Sequence, residues 1–362
     1  MKHFTLVQLG QVHCVEGNAW EGLMTFYRTW MTAAVVFGGI TISAGSAIAQ
    51  KKYDVGASDT EIKLGQTMPY SGPASALSTV GKAQAAYFAM VNANGGVNRR
   101  KIDLVSLDDG YSPPKTVEQT RKLVEVEKVL ALFSPVGTAS NSAIHKYVNA
   151  NKVPHLFIAS LLMRWADPED FPWTIQTILP PFQLDTEVFA DYVLKTRPNA
   201  KIGVLYQNDD YGKDNLKGLK EGLGDKARTM IVAEASYELT DPTVDSQIVA
   251  LKGAGADTFA NFTTPKFGAQ AIRRAYDIGW KPLQLIAFPA SSIGAVLRPV
   301  GVEKAFGLIT TTVAKDPSDP QWRDDSAMKE YLAWAKRWYP EGDPEVWDNV
   351  LGYNSAQLMV RS

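Results

Sequence analysis

Past residue 60 the chain alternates short β-branched apolar runs with longer amphipathic ones. This rhythm narrows the fold more than any other feature, because strands that each feed a helix are joined side by side through crossovers into a parallel sheet. Strands are predicted over residues 62–68, 102–107, 129–133, 154–158 and 173–178. A fresh series then begins at 201–206, 230–235, 258–262 and 283–287, with a last strand at 308–313. Val80, Ala83, Tyr87, Met90 and Val91 recur at helical spacing until Asn94-Gly95-Gly96 stops the helix. Another helix, over 113–128, opens with proline in its first turn, where a missing N–H does no harm. Further helices are expected near Ser140 and over 184–196, 214–223, 244–254 and 266–278. The restart predicts an α/β chain of two similar wound lobes, residues 58–180 with 313–362 and residues 181–312. The tryptophan-rich helical stretches 321–338 and 344–361 bring the chain back to the first lobe.

Residues 24–49 read as a secretory signal peptide. Arg28 gives the positive flank, 31–42 is an apolar run, and Ala47-Ile48-Ala49 has the small-x-small form of a cleavage site. A retained membrane anchor is the alternative, but the run falls short of the roughly 20 residues a span needs. Export to the periplasm, with cleavage near Ala49 and Gln50, is the expectation. Residues 1–23 lack a signal-like pattern, so Met24 is the expected true start and the preceding segment a mis-called extension. Cys14, the only cysteine, lies there. The exported chain then has no cysteine and two histidines, His145 and His155, which argues against disulfides, thiolate nucleophiles and a histidine-rich metal site.

Roughly 310 residues after the signal can bury a large core and usually make two domains. The formal net charge of −1 carries no basic footprint of a nucleic-acid binder. No G-x-S-x-G elbow, G-x-x-x-x-G-K-[ST] loop, H-E-x-x-H or G-x-G-x-x-G after a strand occurs, so an enzyme is disfavoured. His155, beside an apolar run, reads as a satisfied core histidine, and Asp108-Asp109 as carboxylates capping the next turn.

Four turns fall at the expected strand ends: Pro69-Tyr70-Ser71-Gly72-Pro73, Asn94-Gly95-Gly96, Leu107-Asp108-Asp109 and Asp210-Tyr211-Gly212. Together they resemble the periplasmic substrate-binding proteins of ABC importers, in the branched-chain amino-acid (Leu/Ile/Val) binding class, from about Asp59 to the last residue. The resemblance implies a type I periplasmic binding fold: two Rossmann-like lobes with parallel-sheet cores, three crossing segments as hinge, and a ligand in the cleft between them. It also implies permease and ATPase subunits of an importer as partners, with no cofactor. A monomer is the default.

Ligands of open parallel sheets sit beyond the carboxyl ends of strands. Pro135-Val136-Gly137-Thr138-Ala139-Ser140 lies at such an end: Gly137 allows close backbone approach, Thr138 adds a hydroxyl, and the amides of the following helix can hold a carboxylate. By the resemblance Gly137 and Thr138 bind the ligand's carboxylate; ordinary helix capping by Thr138 or Ser140 is the alternative. The loop Ala159-Ser160-Leu161-Leu162-Met163-Arg164-Trp165 departs from the family, which has small residues and a threonine where Leu161, Leu162 and Met163 stand. Ser160, Leu161 and Met163 are therefore expected to line a reshaped cleft. Amino-acid binders of the class place an acid near the position of Ala290 to pair the ligand's ammonium, and a tyrosine where Leu77 stands. The expected ligand is a small carboxylate without an α-ammonium, an aromatic or other apolar acid, its body against Tyr70, Leu77, Tyr211 and Phe288. Thr263 and Thr264 could add hydroxyls, though turn hydrogen bonds explain them equally.

Other readings stay open: an amino-acid binder of the same class, a ligand-sensing receptor subunit, or a degenerate truncated paralogue. The last follows from the resemblance, since family members continue for several dozen residues past a segment like Tyr353-Asn354-Ser355-Ala356-Gln357. A lobe lacking a crossing strand is expected to lose stability.

Overall fold

The computed structural model describes residues 52–362 apart from 178 and 313. The expected signal peptide and the expected start at Met24 lie outside the described residues. The first lobe's strands are β1 (Glu61–Met68), β2 (Lys101–Asp108), β3 (Ala131–Phe133), β4 (His155–Ile158) and β5 (Thr174–Gln176), all parallel in the order β2-β1-β3-β4-β5. Between them run α1 (Ser78–Ala93), α2 (Pro113–Arg121) and α3 (Thr138–Ala150). The second lobe opens with α4 (Phe182–Thr196) and holds β6 (Ile202–Gln207), α5 (Asp210–Leu223), the single turn α6 (Ala227–Met230) and β7 (Ile231–Tyr237). It continues with α7 (Asp245–Gly253), β8 (Thr258–Phe262), α8 (Pro265–Asp277), β9 (Leu283–Ile286), the single turn α9 (Arg298–Val300) and β10 (Ile309–Thr310). This sheet is also parallel, in the order β10-β9-β8-β6-β7. Last come α10 (Ser326–Trp338) and α11 (Trp347–Arg361).

Each of the ten strands lies where the apolar runs place it, though β5 and β10 are shorter than the runs suggest. The central strand β8, Thr-Phe-Ala-Asn-Phe, is buried throughout because helices cover both faces, whereas the edge strand β7 alternates half-buried and exposed positions until the buried Tyr237. The helix opening at Pro113 is α-helical only to Arg121 and continues as one wide turn over Lys122–Val126. Asn94-Gly95-Gly96 ends α1 for a steric reason. Gly96 has φ +72, and a Cβ there would stand 2.1 Å from the Arg100 carbonyl oxygen.

The tryptophan-rich tail packs on the first lobe. Tyr353 of α11 meets Tyr87 of α1 edge-on with ring centroids 5.1 Å apart, and Trp334 of α10 lies 4.8 Å from Tyr353. These rings join Leu64 and Phe133 of β1 and β3 in one core. The second lobe has a core on each sheet face, one around Phe189, Leu219 and Phe262, the other around Phe259, Phe267 and Trp280. In both sheets the strand order reverses beside the first strand, between β1 and β3 and between β6 and β8. A crevice forms at such a switch point because the loops leaving the two strands run to opposite faces.

Candidate functional site

The loops leaving β1, β3 and β4 face those leaving β6, β8 and β9 across one cavity of about 80 Å³. Of the residues selected from sequence, Leu77, Gly137, Thr138, Ser160, Leu161, Tyr211, Thr264 and Phe288 line it. Three do not. Tyr70 turns toward β2, where its hydroxyl lies 2.7 Å from the Ser106 hydroxyl. Met163 is 48% exposed and lines a surface depression beside Arg164 and Asp210. Ala290 is fully buried among Ile272, Ile286 and Val300 in the second lobe's core, not at the cleft.

One end of the cavity is built by the start of α3. Gly137 precedes the helix with φ +113, a conformation that favours glycine, and a Cβ there would lie 2.6 Å from the Tyr111 ring. The first amides of a helix have no carbonyl partner within it and point outward with the positive end of the dipole. Neither nearby hydroxyl caps them. Thr138 Oγ1 pairs with Ser160 Oγ at 2.8 Å, Ser160 Oγ accepts from Trp165 Nε1 at 3.0 Å, and Ser140 Oγ accepts from Thr116 at 2.9 Å. Asn141 braces the loop by donating Nδ2 to the carbonyls of Gly137 (2.7 Å) and Pro135 (3.0 Å).

Tyr111, which the sequence reading passed over, reaches into this end from the turn after β2. Its phenol meets the Thr138 backbone N–H on one side and the Gln207 side chain of β6 on the other, and burial holds it neutral. Tyr111 has φ +59, and the lining residues Ser134 and Phe157 have φ +49 and +53. Among the described residues the other left-handed non-glycine residues are Asn98, Arg99, Lys128 and Lys152. Left-handed residues gathered at a cavity, here the buried Tyr111 and Ser134 and the partly buried Phe157, mark a backbone held in place by its surroundings, as at ligand sites.

The remaining wall is apolar. Phe182 stacks edge-on with Tyr211 at 4.9 Å, and Phe288 meets Trp347 of α11 at 5.4 Å. The Tyr211 hydroxyl donates to the Thr263 carbonyl at 3.1 Å, and Thr264 Oγ1 donates to Gln207 Oε1 at 3.2 Å, so both polar groups are occupied within the second lobe. Among the described residues lining the cavity there is no lysine, arginine or histidine, and one carboxyl, Asp348 of α11. Burial pushes that carboxyl up to about 7, opposed only by its own backbone amide.

A family model described as periplasmic binding protein matches residues 61–362. The chain belongs to that family. Among curated relatives of this periplasmic binding protein, the Leu/Ile/Val-binding protein homolog 7 of Brucella suis biovar 1 is 24% identical over 83% of this chain and 76% of its own. The solved substrate-binding periplasmic protein of Ralstonia solanacearum superposes with a TM-score of 0.75 at 22% identity, covering 83% of each chain. The fatty acid ABC transporter substrate-binding protein of Thermomonospora curvata gives a TM-score of 0.70 at 24% identity over 85% of this chain and 77% of that one. A branched-chain amino acid transporter substrate binding protein of Streptococcus pneumoniae, solved with isoleucine, gives 0.67 at 19% over 83% of each. These likenesses bear out the recognition and the fold class, two parallel-sheet lobes of the type I periplasmic binding protein. The family is a solute-binding class, not an enzyme class.

Sequence reasoning had a signal for Tyr111, since Asp108-Asp109-Gly110-Tyr111 leaves the carboxyl end of a strand beside the switch point. It had none for Trp347 and Asp348. An acid early in a helix reads as favourable placement against the helix dipole, and only tertiary packing carries it to the cavity.

Proposed function

We propose that this periplasmic binding protein is the exported solute-capturing component of an ABC importer. It takes a small apolar carboxylate into the cavity between its lobes and delivers it to a permease driven by ATPase subunits. The observation that carries this reading is the distribution of polarity along the wall. The α3 amides beyond the one Tyr111 takes and the Thr138–Ser160 hydroxyl pair stand at one end, the rest is mainly rings and aliphatic groups with a few hydroxyls and the Asp348 carboxyl, and no cationic side chain lines it. Helix-start amides hold an anion without a cation. Burying ~150 Å² of an aromatic ring at about 25 cal/mol per Å² contributes on the order of 4 kcal/mol.

Size supports a small ligand. At roughly 10 to 15 Å³ per water-sized site, a cavity of about 80 Å³ holds on the order of five to eight such sites. The fatty acid of the Thermomonospora curvata protein and the isoleucine of the Streptococcus pneumoniae protein share a carboxylate and an apolar body, the two features this wall suits.

A thermal-shift screen of the full chain against benzoate, octanoate, leucine and succinate tests the reading. Benzoate at about one hundred times its dissociation constant should stabilise by about 2.7 kcal/mol, a rise of several degrees. A rise with leucine and none with benzoate contradicts it. One observation favours a second reading, an amino acid: Asp348 could pair an ammonium.

A further inference from the structure

A line of buried polar side chains runs through the first lobe and ends at the cavity. Gln66 of β1 and Gln84 of α1 are both fully buried, and Gln66 Nε2 donates to Gln84 Oε1. Gln84 Nε2 donates in turn to Ser134 Oγ at 2.9 Å and to Ser355 Oγ at 2.8 Å, and both serines line the cavity. Neither amide can be turned round. Gln66 Nε2 also faces the carbonyls of Phe133 (3.2 Å) and Ser134 (3.4 Å), where only a donor fits, and Gln66 Oε1 accepts from Ser106 at 2.9 Å. With Gln66 so fixed, Gln84 must present its oxygen to Gln66 and its nitrogen to the serines.

That orientation decides what each serine hydroxyl can do. An amide nitrogen only donates, so both serine oxygens accept from Gln84 and each keeps its own proton to give. Ser355 gives its proton to the Leu351 carbonyl one turn back in α11, at 2.9 Å. Ser134 has no such outlet. It is 2% exposed, and among the described residues no acceptor for its proton stands within hydrogen-bond distance. A buried donor without an acceptor is unfavourable, and one at a cavity wall is satisfied by what the cavity holds. The backbone gives a second, independent sign. Ser134 has φ +49, a left-handed conformation that glycine adopts freely, so what serine adds at this bend is its hydroxyl.

We propose that Ser134 is a specificity-determining residue whose hydroxyl donates to the carboxylate of the bound acid, and that Gln84 is the positioning residue that keeps this proton free for the ligand. This rests on the carboxylate reading above and adds a side-chain donor to the α3 amides. Both belong to one loop, since Ser134 and Thr138 flank Pro135-Val136-Gly137. In an apolar acid the carboxylate oxygens are the acceptors, so the proton has one place on the ligand to go. A hydrogen bond to an ionised oxygen is about twice as strong as one between neutral groups. A site that supplies such a bond discriminates against an analogue that cannot complete it.

Calorimetry of the full chain with benzoate and octanoate tests this, on Ser134→Gly, Ser134→Ala, Gln84→Met and the combination of Gln84→Met with Ser134→Gly, each checked by its melt. An acid that binds the unaltered chain should bind both Ser134 variants about tenfold or more weaker. Ser134→Gly should nonetheless melt no lower than Ser134→Ala, because glycine is at ease in the left-handed bend. Gln84→Met should weaken binding about three- to tenfold by itself, yet by less than about twofold in the Ser134→Gly chain, since its effect passes through that hydroxyl. A glutamine that merely supports the fold would lower affinity by the same factor in both chains, and that result overturns its positioning role. Affinity within about twofold of the unaltered chain in both Ser134 variants overturns the inference and leaves the carboxylate reading intact. Failure of both acids to bind the unaltered chain removes the carboxylate reading and the inference with it.

Discussion

Arg164, on the loop after β4, is ion-paired with Asp210 at the head of α5, so a charge pair outside the cavity ties one lobe to the other. Ser142 of α3 joins them, donating to Asp210 Oδ2 at 2.8 Å and accepting from Arg164 at 2.6 Å. Burial opposes ionisation of Asp210, but Ser142 and Arg164 outweigh it and hold the carboxyl below its ordinary value. The two lobes thus meet in two ways, through apolar contact around Phe182 and Tyr211 within and a polar clasp at the rim.

The clasp should be a modest, salt-sensitive contributor. Both side chains are nearly half exposed, 45% and 46%, and pairs so placed contribute about 0 to 1 kcal/mol. Asp210→Asn should weaken ligand binding by about two- to fivefold at low salt, and the difference from the unaltered chain should shrink at 0.5 M salt; calorimetry at two salt concentrations measures both. A loss of affinity that persists at high salt would mean that Asp210 acts through something other than charge.

Gly137 should tolerate no side chain. Alanine there would carry φ +113 and a Cβ 2.6 Å from the Tyr111 ring, in a loop braced by Asn141. We expect Gly137→Ala to destabilise by about 1 to 3 kcal/mol and to abolish binding, because the ring and the α3 amides would have to move apart. Urea denaturation and a binding assay on the same preparation separate the two effects.

Stability between about pH 4 and 7 should depend on Asp348. Its carboxyl is raised from the ordinary 3.8 to about 7 by burial, so between those values the folded state binds a proton that the unfolded state has released. Stability from this group is complete below about pH 4 and is lost as pH rises through 7, by about 4 kcal/mol in all. Asp348→Asn should remove most of the fall between pH 5 and 8, read from denaturation midpoints of ligand-free protein. An unchanged fall would show that the carboxyl is not buried as described.

His155 carries the larger share of the acid limb, which His145, lowered by burial to about 4, also feeds. Burial, and secondarily His145, lowers its imidazole to about 3, so the folded state resists the proton that the unfolded state accepts near 6.5. Stability present above pH 6.5 is lost progressively as pH falls toward 3, by about 3 kcal/mol at pH 4. His155 Nε2 lies 2.9 Å from Asn141 Oδ1, which places a core histidine directly behind the α3 loop. His155→Gln should remove the larger part of the loss between pH 7 and 4 and leave the share of His145, measured in the same denaturation series.

Much of this architecture was legible because a parallel sheet writes a local rhythm. The apolar runs located every strand, and the rule of carboxyl ends and switch points located Gly137, Thr138 and Tyr211. What failed was orientation within loops. Tyr70 turns to Ser106 and Ala290 into the core behind Gly268, where an added Cβ would lie 2.7 Å from Ala290 Cβ. A one-residue change of direction decides such cases, and turn composition does not encode it. Met163 points outward for the same reason, while Leu161 beside it is buried at the cavity. Trp347 and Asp348 were illegible in a different way. They lie more than two hundred residues from Gly137 and come to the cavity only because α11 packs on α1 through Tyr87 and Tyr353.

The central claim is that the cavity holds a small apolar carboxylate on the amides of α3, with no provision for an α-ammonium beside them. Isothermal titration of the full chain with benzoate and with leucine, repeated on Gly137→Ala, tests this most directly. The account predicts saturable binding of benzoate that disappears in Gly137→Ala, and leucine weaker by at least about tenfold. Tight leucine binding with none of the aromatic acids, or aromatic-acid binding indifferent to Gly137→Ala, would contradict it.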